Sequence, residues 1–212
     1  MSDPGTRTRR TAAETREHVL AVAHDLFYWR GIRTTGVDTI AAEAGVAPTT
    51  LYRLFASKDD LVDAYVQRAD SLYKEWFTSA AGPADAPPRE RILALFDALD
   101  EQIQPEICRG CPFLMALSEF PETDLPAHRH AVATKAWVRD QLAGLTSRLD
   151  VDDADALADH LTLVFEGTYA STQALGAAGP AGQARNVAQA LIDTATPAAR
   201  DAAQAPPDSA LA

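Results

Sequence analysis

Apolar positions recur at helical intervals along most of the chain, and few stretches show the two-residue alternation of a strand. Val19, Val22, Ala23, Leu26 and Phe27 form one such stripe, opened by Thr11–Glu14 with capping-box spacing and closed by Gly31. Thr35 or Gly36 opens a short second helix, Val37 to Ala44, which Gly45 stops. Pro48 suits the first turn of a third helix reaching about Phe55, because its missing N–H would be unpaired there anyway. Ser57–Asp60 reads as a capping box for a long fourth helix carrying Leu61, Ala64, Tyr65, Leu72 and Trp76. The Pro- and Gly-rich segment Ala80–Pro88 is a loop. Five further helices are expected over Arg89–Gln104, Pro112–Glu119, Ala127–Leu149, Asp152–Leu175 and Ala181–Thr194. Breaks fall at Pro121–Pro126, Pro180 and Pro197. The pattern predicts an all-α chain of about nine helices.

Composition changes this picture little, but charge changes it more. The chain has 212 residues, 47% apolar and 23% charged, a globular composition with room for a full core. No run is long and apolar enough for a membrane span, and Met1–Arg10 lacks the apolar centre of a secretory signal. The expectation is a cytoplasmic protein without membrane contact, whose two cysteines form no disulfide framework. The formal net charge is −11, yet the first 60 residues hold eight basic and eight acidic side chains. The acidic excess lies wholly beyond them, which leaves room for a local polyanion site near the N-terminus.

The second and third helices, joined through Glu43–Pro48, have the dimensions of a helix-turn-helix. Ile40 and Leu51 can share a small core, Ala41 and Ala44 permit close crossing, and Gly45 serves the turn, with Val46 anchoring it. The third helix then exposes Thr49, Thr50 and Arg53 while Leu51, Leu54 and Phe55 turn inward. The exposed N-terminal end of a short helix is what enters a major groove, and its free N–H groups with Lys58 favour phosphate. Two short helices around a glycine turn also occur in ordinary bundles, so the spacing alone leaves both readings open.

Thr15–Val66 resembles the N-terminal domain of TetR-family transcriptional regulators. The matching features are Phe27 with Gly31, Thr34–Ala41, Ala44–Val46, and Leu51–Lys58 as L-Y-x-x-F-x-S-K. Pro48-Thr49 departs mildly from the common pattern of Ser or Lys followed by Gly or Ala. The resemblance implies phosphate contacts at Thr35, Thr50, Tyr52 and Lys58, and groove-facing residues at Pro48, Thr49 and Arg53. Tyr52 packed on the first helix is the alternative. Of Arg7, Arg9 and Arg10, which could trail along the DNA, Arg7 is expected to be solvated. Cys108–Leu142 resembles a subgroup with a G-C-x-F element after the fifth helix, here Gly110 to Phe113.

What the family implies for the rest is a small-molecule effector among helices four to eight and a homodimer through the last two helices. Candidate pocket residues are Leu99, Ile103, Phe113, Leu117, Phe120, Trp137, Phe165 and Tyr169, each with plain core packing as its alternative. A ligand near Phe113 and Leu117 is expected to push the fourth helix outward. The weakly charged segment Asp159–Ala195 suits a four-helix interface, with Leu161, Val164, Thr168, Thr172, Val187 and Leu191 as the candidate face; a hairpin within one chain is the alternative. Glu166 interrupts an apolar run; if buried, it needs a cationic ligand or a nearby Arg.

No G-x-S-x-G, P-loop, H-E-x-x-H or glycine-rich dinucleotide turn occurs, so no enzyme activity and no cofactor are expected. Cys108 and Cys111 form C-x-x-C, but His128 and His130 are too close together for a good zinc set, and no metal is expected. Cys111 at a helix N-terminus beside Arg109 could have a lowered thiol pKa, which keeps redox or electrophile sensing as an alternative to ligand response. An activator on the same fold is another. The reading is a homodimeric repressor on a palindromic double-stranded DNA operator, released by an effector. It divides into an arm at 1–10, a helix-turn-helix domain at 11–57, a ligand and dimer domain at 58–199, and a disordered tail at 200–212.

Overall fold

The computed structural model describes residues 10–104, 107–176 and 178–196. Most of the expected arm and all of the expected tail lie outside the described residues. Within them the chain forms nine α-helices and no strand. These are α1 (Ala12–Arg30), α2 (Val37–Glu43), α3 (Pro48–Leu54), α4 (Lys58–Ala80), α5 (Pro88–Gln102), α6 (Pro112–Glu119), α7 (Pro126–Thr146), α8 (Ala154–Leu175) and α9 (Ala184–Ala195). A single 3-10 turn, Pro180–Gln183, precedes α9, because Pro180 and Gly182 shorten the helix start expected at Ala181.

Local signals set the boundaries of the first helices. Thr11 and Glu14 cap α1 reciprocally, each side chain bonded to the other's backbone N–H. Ser57 accepts from the Asp60 N–H at the start of α4. Gly45 has φ +63 between α2 and α3, a left-handed turn that a side chain would strain. His18 donates from Nε2 to the Ala44 carbonyl at 3.0 Å, fastening α1 to the same turn.

α1 packs on α2 and α4, and α2 on α3. Val19, Ala23, Phe27, Ile40, Leu51 and Phe55 form the buried centre of this first unit. Beyond it α7 is the hub, packed against α4, α5, α6 and α8, while α9 closes over α5 and α8. Phe165 lies edge-on to Phe77, Phe96 and Tyr169 with ring centroids 5.4–6.2 Å apart, so interlocking aromatic rings fill the middle.

The two parts are joined by more than α4. Tyr28, near the end of α1, is buried, and its hydroxyl donates to the Gly110 carbonyl at 2.9 Å. The same oxygen accepts from the Arg109 and Gly110 N–H groups at 2.7 and 3.2 Å. Gly110 has φ +140, and a Cβ there would meet Gln173 Oε1 at 2.9 Å, so the site admits glycine alone without rearrangement. At the other end of α6, Glu119 accepts the N–H groups of Ile32 and Arg33, and its carbonyl accepts from Arg33 Nε.

Tyr28→Phe leaves two buried N–H groups and a carbonyl without their shared partner. It is expected to lower unfolding stability by about 2–3 kcal/mol in urea titration. A loss under about 0.5 kcal/mol would show that water replaces the hydroxyl at no cost.

Candidate nucleic-acid interface and a separate cleft

α3 presents the face its sequence calls for. Leu51 and Phe55 are buried, and Arg16 stacks its guanidinium 4.9 Å from the Phe55 ring centre, holding α3 against α1. Pro48, Thr49 and Arg53 are exposed, Thr50 is half-buried, and Tyr52 is 50% exposed rather than packed on α1. Arg10, Thr15, Thr50 and Arg53 share the rim of an open groove between the start of α1 and α3, with a volume of about 1010 Å³. Two cations and two hydroxyls on one rim suit phosphate oxygens. Thr15 escaped the sequence reading because nothing in its own neighbourhood marks it.

Two expected phosphate contacts sit differently. Thr35 is only 3% exposed, and its hydroxyl donates to the Gly31 carbonyl at 2.8 Å. Its side chain ties the α1–α2 connection together and is closed to a phosphate, unlike the contact expected from the resemblance. Lys58 is half-buried with Nζ 3.1 Å from the Arg33 carbonyl, and partial burial pushes its pKa below the ordinary lysine value. An ammonium has three donors, so two stay open to a phosphate.

The candidate pocket residues are mostly core. Leu99, Ile103, Phe113, Phe165 and Tyr169 are buried, as is Phe120, while Leu117 and Trp137 are half-buried against the same cluster. A cleft of about 410 Å³ opens elsewhere, between the C-terminal half of α1 and α4. Asp25, Tyr28 and Trp29 line it from α1 and Leu72, Tyr73 and Trp76 from α4, while Gln102, Ile107, Cys108, Gly110, Pro112 and Tyr169 supply more of the lining. Of the eight candidates, Tyr169 alone reaches it. The helical aromatic stripe marked packing, and ring-on-ring contact consumes the volume a ligand near Phe113 would need.

The family model described as "Bacterial regulatory proteins, tetR family" matches residues 19–65. SCO4454, a TetR-family transcriptional regulator from Streptomyces coelicolor, is 30% identical, with a TM-score of 0.81 over 87% of this chain and 97% of its own. The chain belongs to the TetR family of transcriptional regulators. A TetR transcriptional regulator from Chloroflexus aurantiacus is 26% identical, with a TM-score of 0.71 over 87% of this chain and 95% of its own. The HTH-type transcriptional regulator YjdC of Escherichia coli is 26% identical over 152 residues, covering 72% of this chain and 80% of YjdC. As a TetR-family regulator the protein binds DNA and is not an enzyme.

In this TetR-family chain the candidate dimer face divides. Leu161, Thr168 and Thr172 are buried inside the protomer, and the two threonine hydroxyls bond back to their own helix. Val164 and Leu191 are half-buried, and Val187 is exposed. The outward stripe of α8 runs instead through His160, Leu163, Gly167, Ala170 and Ala174, with Leu163 71% exposed. α8 carries apolar residues on both sides, Leu161 and Phe165 on one and Leu163, Ala170 and Ala174 on the other, so periodicity could not tell its inner from its outer side.

Glu166 is answered by Lys135 of α7, whose Nζ lies 2.8 and 2.9 Å from the two carboxylate oxygens. No external cation or arginine is required. The ammonium also sits 5.2 Å from the Phe113 ring centre and 5.5 Å from that of Tyr73. Cys111 caps α6 as expected, but it is 2% exposed. Burial pushes its thiol up, with Glu166 adding to burial and Lys135 opposing it. Arg109, expected to activate it, donates from Nη1 to the Tyr28 carbonyl. The thiol is therefore kept protonated, which corrects the lowered pKa expected from its helix position.

His24, also lining the cleft, is pushed below its ordinary pKa of 6.5 by burial first, then by Arg68, with Asp25 pulling the other way. The unfolded chain takes up this proton more readily than the folded one. The stability linked to neutral His24 is complete above pH 6.5 and declines as the pH falls through and below it. Between about pH 7.5 and 5.5 the thermal midpoint should fall further in the wild type than in His24→Phe. Equal falls would assign the dependence to other groups.

Proposed function

We propose that the protein is a homodimeric repressor that holds a palindromic operator and releases it when a small molecule binds. Residues 11–57 act as the reading head and 58–199 as the effector and dimer body. The observation that carries this reading is the solvent-open face of α3, where Thr49 and Arg53 project while Leu51 and Phe55 hold the helix down. Arg53 suits guanine O6 and N7, and the Thr49 methyl suits a thymine methyl. Tyr52, Thr50, Arg10 and Lys58 engage phosphates, fixing register without reading sequence.

One short helix makes too few contacts for specificity, so a second copy about 34–36 Å away in the next major groove completes the site. The outward stripe of α8 with Val187 of α9 supports pairing of two copies, since Gly167, Ala170 and Ala174 let helices approach closely. No helix among the described residues is long and apolar enough to cross a membrane, in keeping with work on DNA in the cytoplasm. The sealed Cys111 favours ligand response over thiol sensing.

Selection of bound sequences from a random DNA pool by the purified protein is expected to return a two-fold symmetric site. On that site Arg53→Ala should lose about 5- to 150-fold in discrimination at one base pair of each half. Leu163→Glu should sediment as a monomer and bind the full site far more weakly. A Leu163→Glu protein that stays dimeric would move the interface elsewhere, and an Arg53→Ala protein with unchanged sequence preference would remove Arg53 from base reading.

A further inference from the structure

The cleft between α1 and α4 contains two polar atoms that the protein leaves unpaired. Tyr73 is 7% exposed, and its hydroxyl has no hydrogen-bond partner among the described residues; Nδ1 of His24 is likewise buried and unpartnered among them. His24 lines the cleft from α1 and Tyr73 from α4. The Tyr169 hydroxyl is close enough to influence the Tyr73 phenol, but the two oxygens fall outside hydrogen-bond geometry, and Tyr169 donates instead to Gln102 Oε1. An orphaned buried donor or acceptor costs about 1–3 kcal/mol. Nearly all such atoms in native proteins find partners, so two in one cleft point to a partner that arrives from outside.

The remaining walls state what that partner is. Trp29 and Trp76 offer flat aromatic surface, and Asp25 brings the cleft's carboxylate. Among the described residues no lysine or arginine lines it, and the nearby Lys135 and Arg68 are already paired with Glu166 and Glu17, so an anionic ligand would enter without a free counter-charge. Burial keeps the Tyr73 phenol protonated, a donor seeking an oxygen. His24, neutral at neutral pH, has an imidazole nitrogen to satisfy. A hydroxyl both accepts and donates, and so meets both needs.

We infer that this cleft is the effector site and takes an uncharged hydroxyaromatic molecule, its ring against Trp29 and Trp76 and its hydroxyl pairing with Tyr73 and His24. This rests on the ligand-responsive reading above and names the class of that ligand. Both orphaned atoms lie beneath the present surface of the cleft, one on each helix. A molecule that reaches them parts α1 from α4 and binds that parted form in preference. Because α1 belongs to the DNA-reading unit, its displacement reorients α3.

The test uses the full-length protein and three naphthalene probes: 2-naphthol, naphthalene-2-carboxylate and 2-naphthylmethylammonium. Titration calorimetry and the thermal midpoint read binding at neutral pH. We expect saturable binding of 2-naphthol with a raised midpoint, and binding of the carboxylate at least about tenfold weaker, equivalent to about 1.4 kcal/mol. Tyr73→Phe should weaken 2-naphthol about fivefold or more while leaving the unliganded midpoint unchanged or higher, since that hydroxyl has no partner to lose. Leu72→Trp, which fills the mouth of the cleft, should abolish binding. Failure of 2-naphthol to bind, equal binding of the carboxylate, or tightest binding of the ammonium probe would overturn the proposal. So would Tyr73→Phe binding that matches the wild type, or a lowered Tyr73→Phe midpoint.

Operator binding, measured alongside, separates this inference from the reading it rests on. Binding of 2-naphthol in the cleft that leaves the operator complex intact upholds the ligand class and counts against release by ligand. Operator release that persists in Leu72→Trp overturns the cleft and spares that reading.

Discussion

The hold of α6 on the end of α1 is the constraint around which the rest is arranged. α6 is only two turns long, yet each of its ends grips the C-terminal end of α1, inside the DNA-reading unit. At its start the Tyr28 hydroxyl gathers two N–H groups and a carbonyl from Arg109 and Gly110. At its finish Glu119 takes the N–H groups of Ile32 and Arg33. A carboxylate at a helix C-terminus is opposed by the helix dipole, by about 0.3–1 kcal/mol. Two bonds to a charged acceptor, about 1.5–3 kcal/mol each, outweigh that opposition. The Ile32 and Arg33 amides lie just past the end of α1, where no helical carbonyl serves them, so the clasp satisfies both sides.

That clasp gives the proposed regulation a physical route. In the proposed homodimer the spacing of the two α3 helices decides whether both reach the DNA. α4 links head to body covalently, but α1 carries the head's packing through Val19, Ala23 and Phe27. With α1 fixed by α6 at Tyr28 and at Ile32–Arg33, the proposed regulation would pass a change in α6 or in the α1–α4 cleft to α3 as a rigid displacement. The Lys135–Glu166 pair, set among the rings of Phe113 and Tyr73, stiffens the body against which that movement occurs. Breaking such a pair exposes an uncompensated charge to a poorly solvated site, so the body resists rearrangement there.

Much of the fold was legible because its signals are local. Thr11 with Glu14 caps α1, Gly45 turns between α2 and α3, and Pro112 and Glu119 bound α6 as the spacing indicated. The outward face of α3 was legible too, since a seven-residue helix with two inward apolar positions has one free side. Partners distant in sequence were not. Tyr28 meets Gly110 across 82 residues, Ile32 meets Glu119 across 87, and Lys135 meets Glu166 across 31, and such pairings leave no periodic trace. The aromatic stripe through Phe113 and Phe165 reads alike whether it lines a pocket or fills a core. On α8, Leu161 and Leu163 are equally apolar, and only the packed neighbours show which one faces water.

The most direct measurement of the account is amide hydrogen exchange at Ile32 and Arg33. The clasp predicts both amides protected in the wild type, and both released together in Glu119→Ala while the amides within α1 keep their protection. Amides that exchange at unprotected rates in the wild type, or that stay protected without the Glu119 carboxylate, would contradict it.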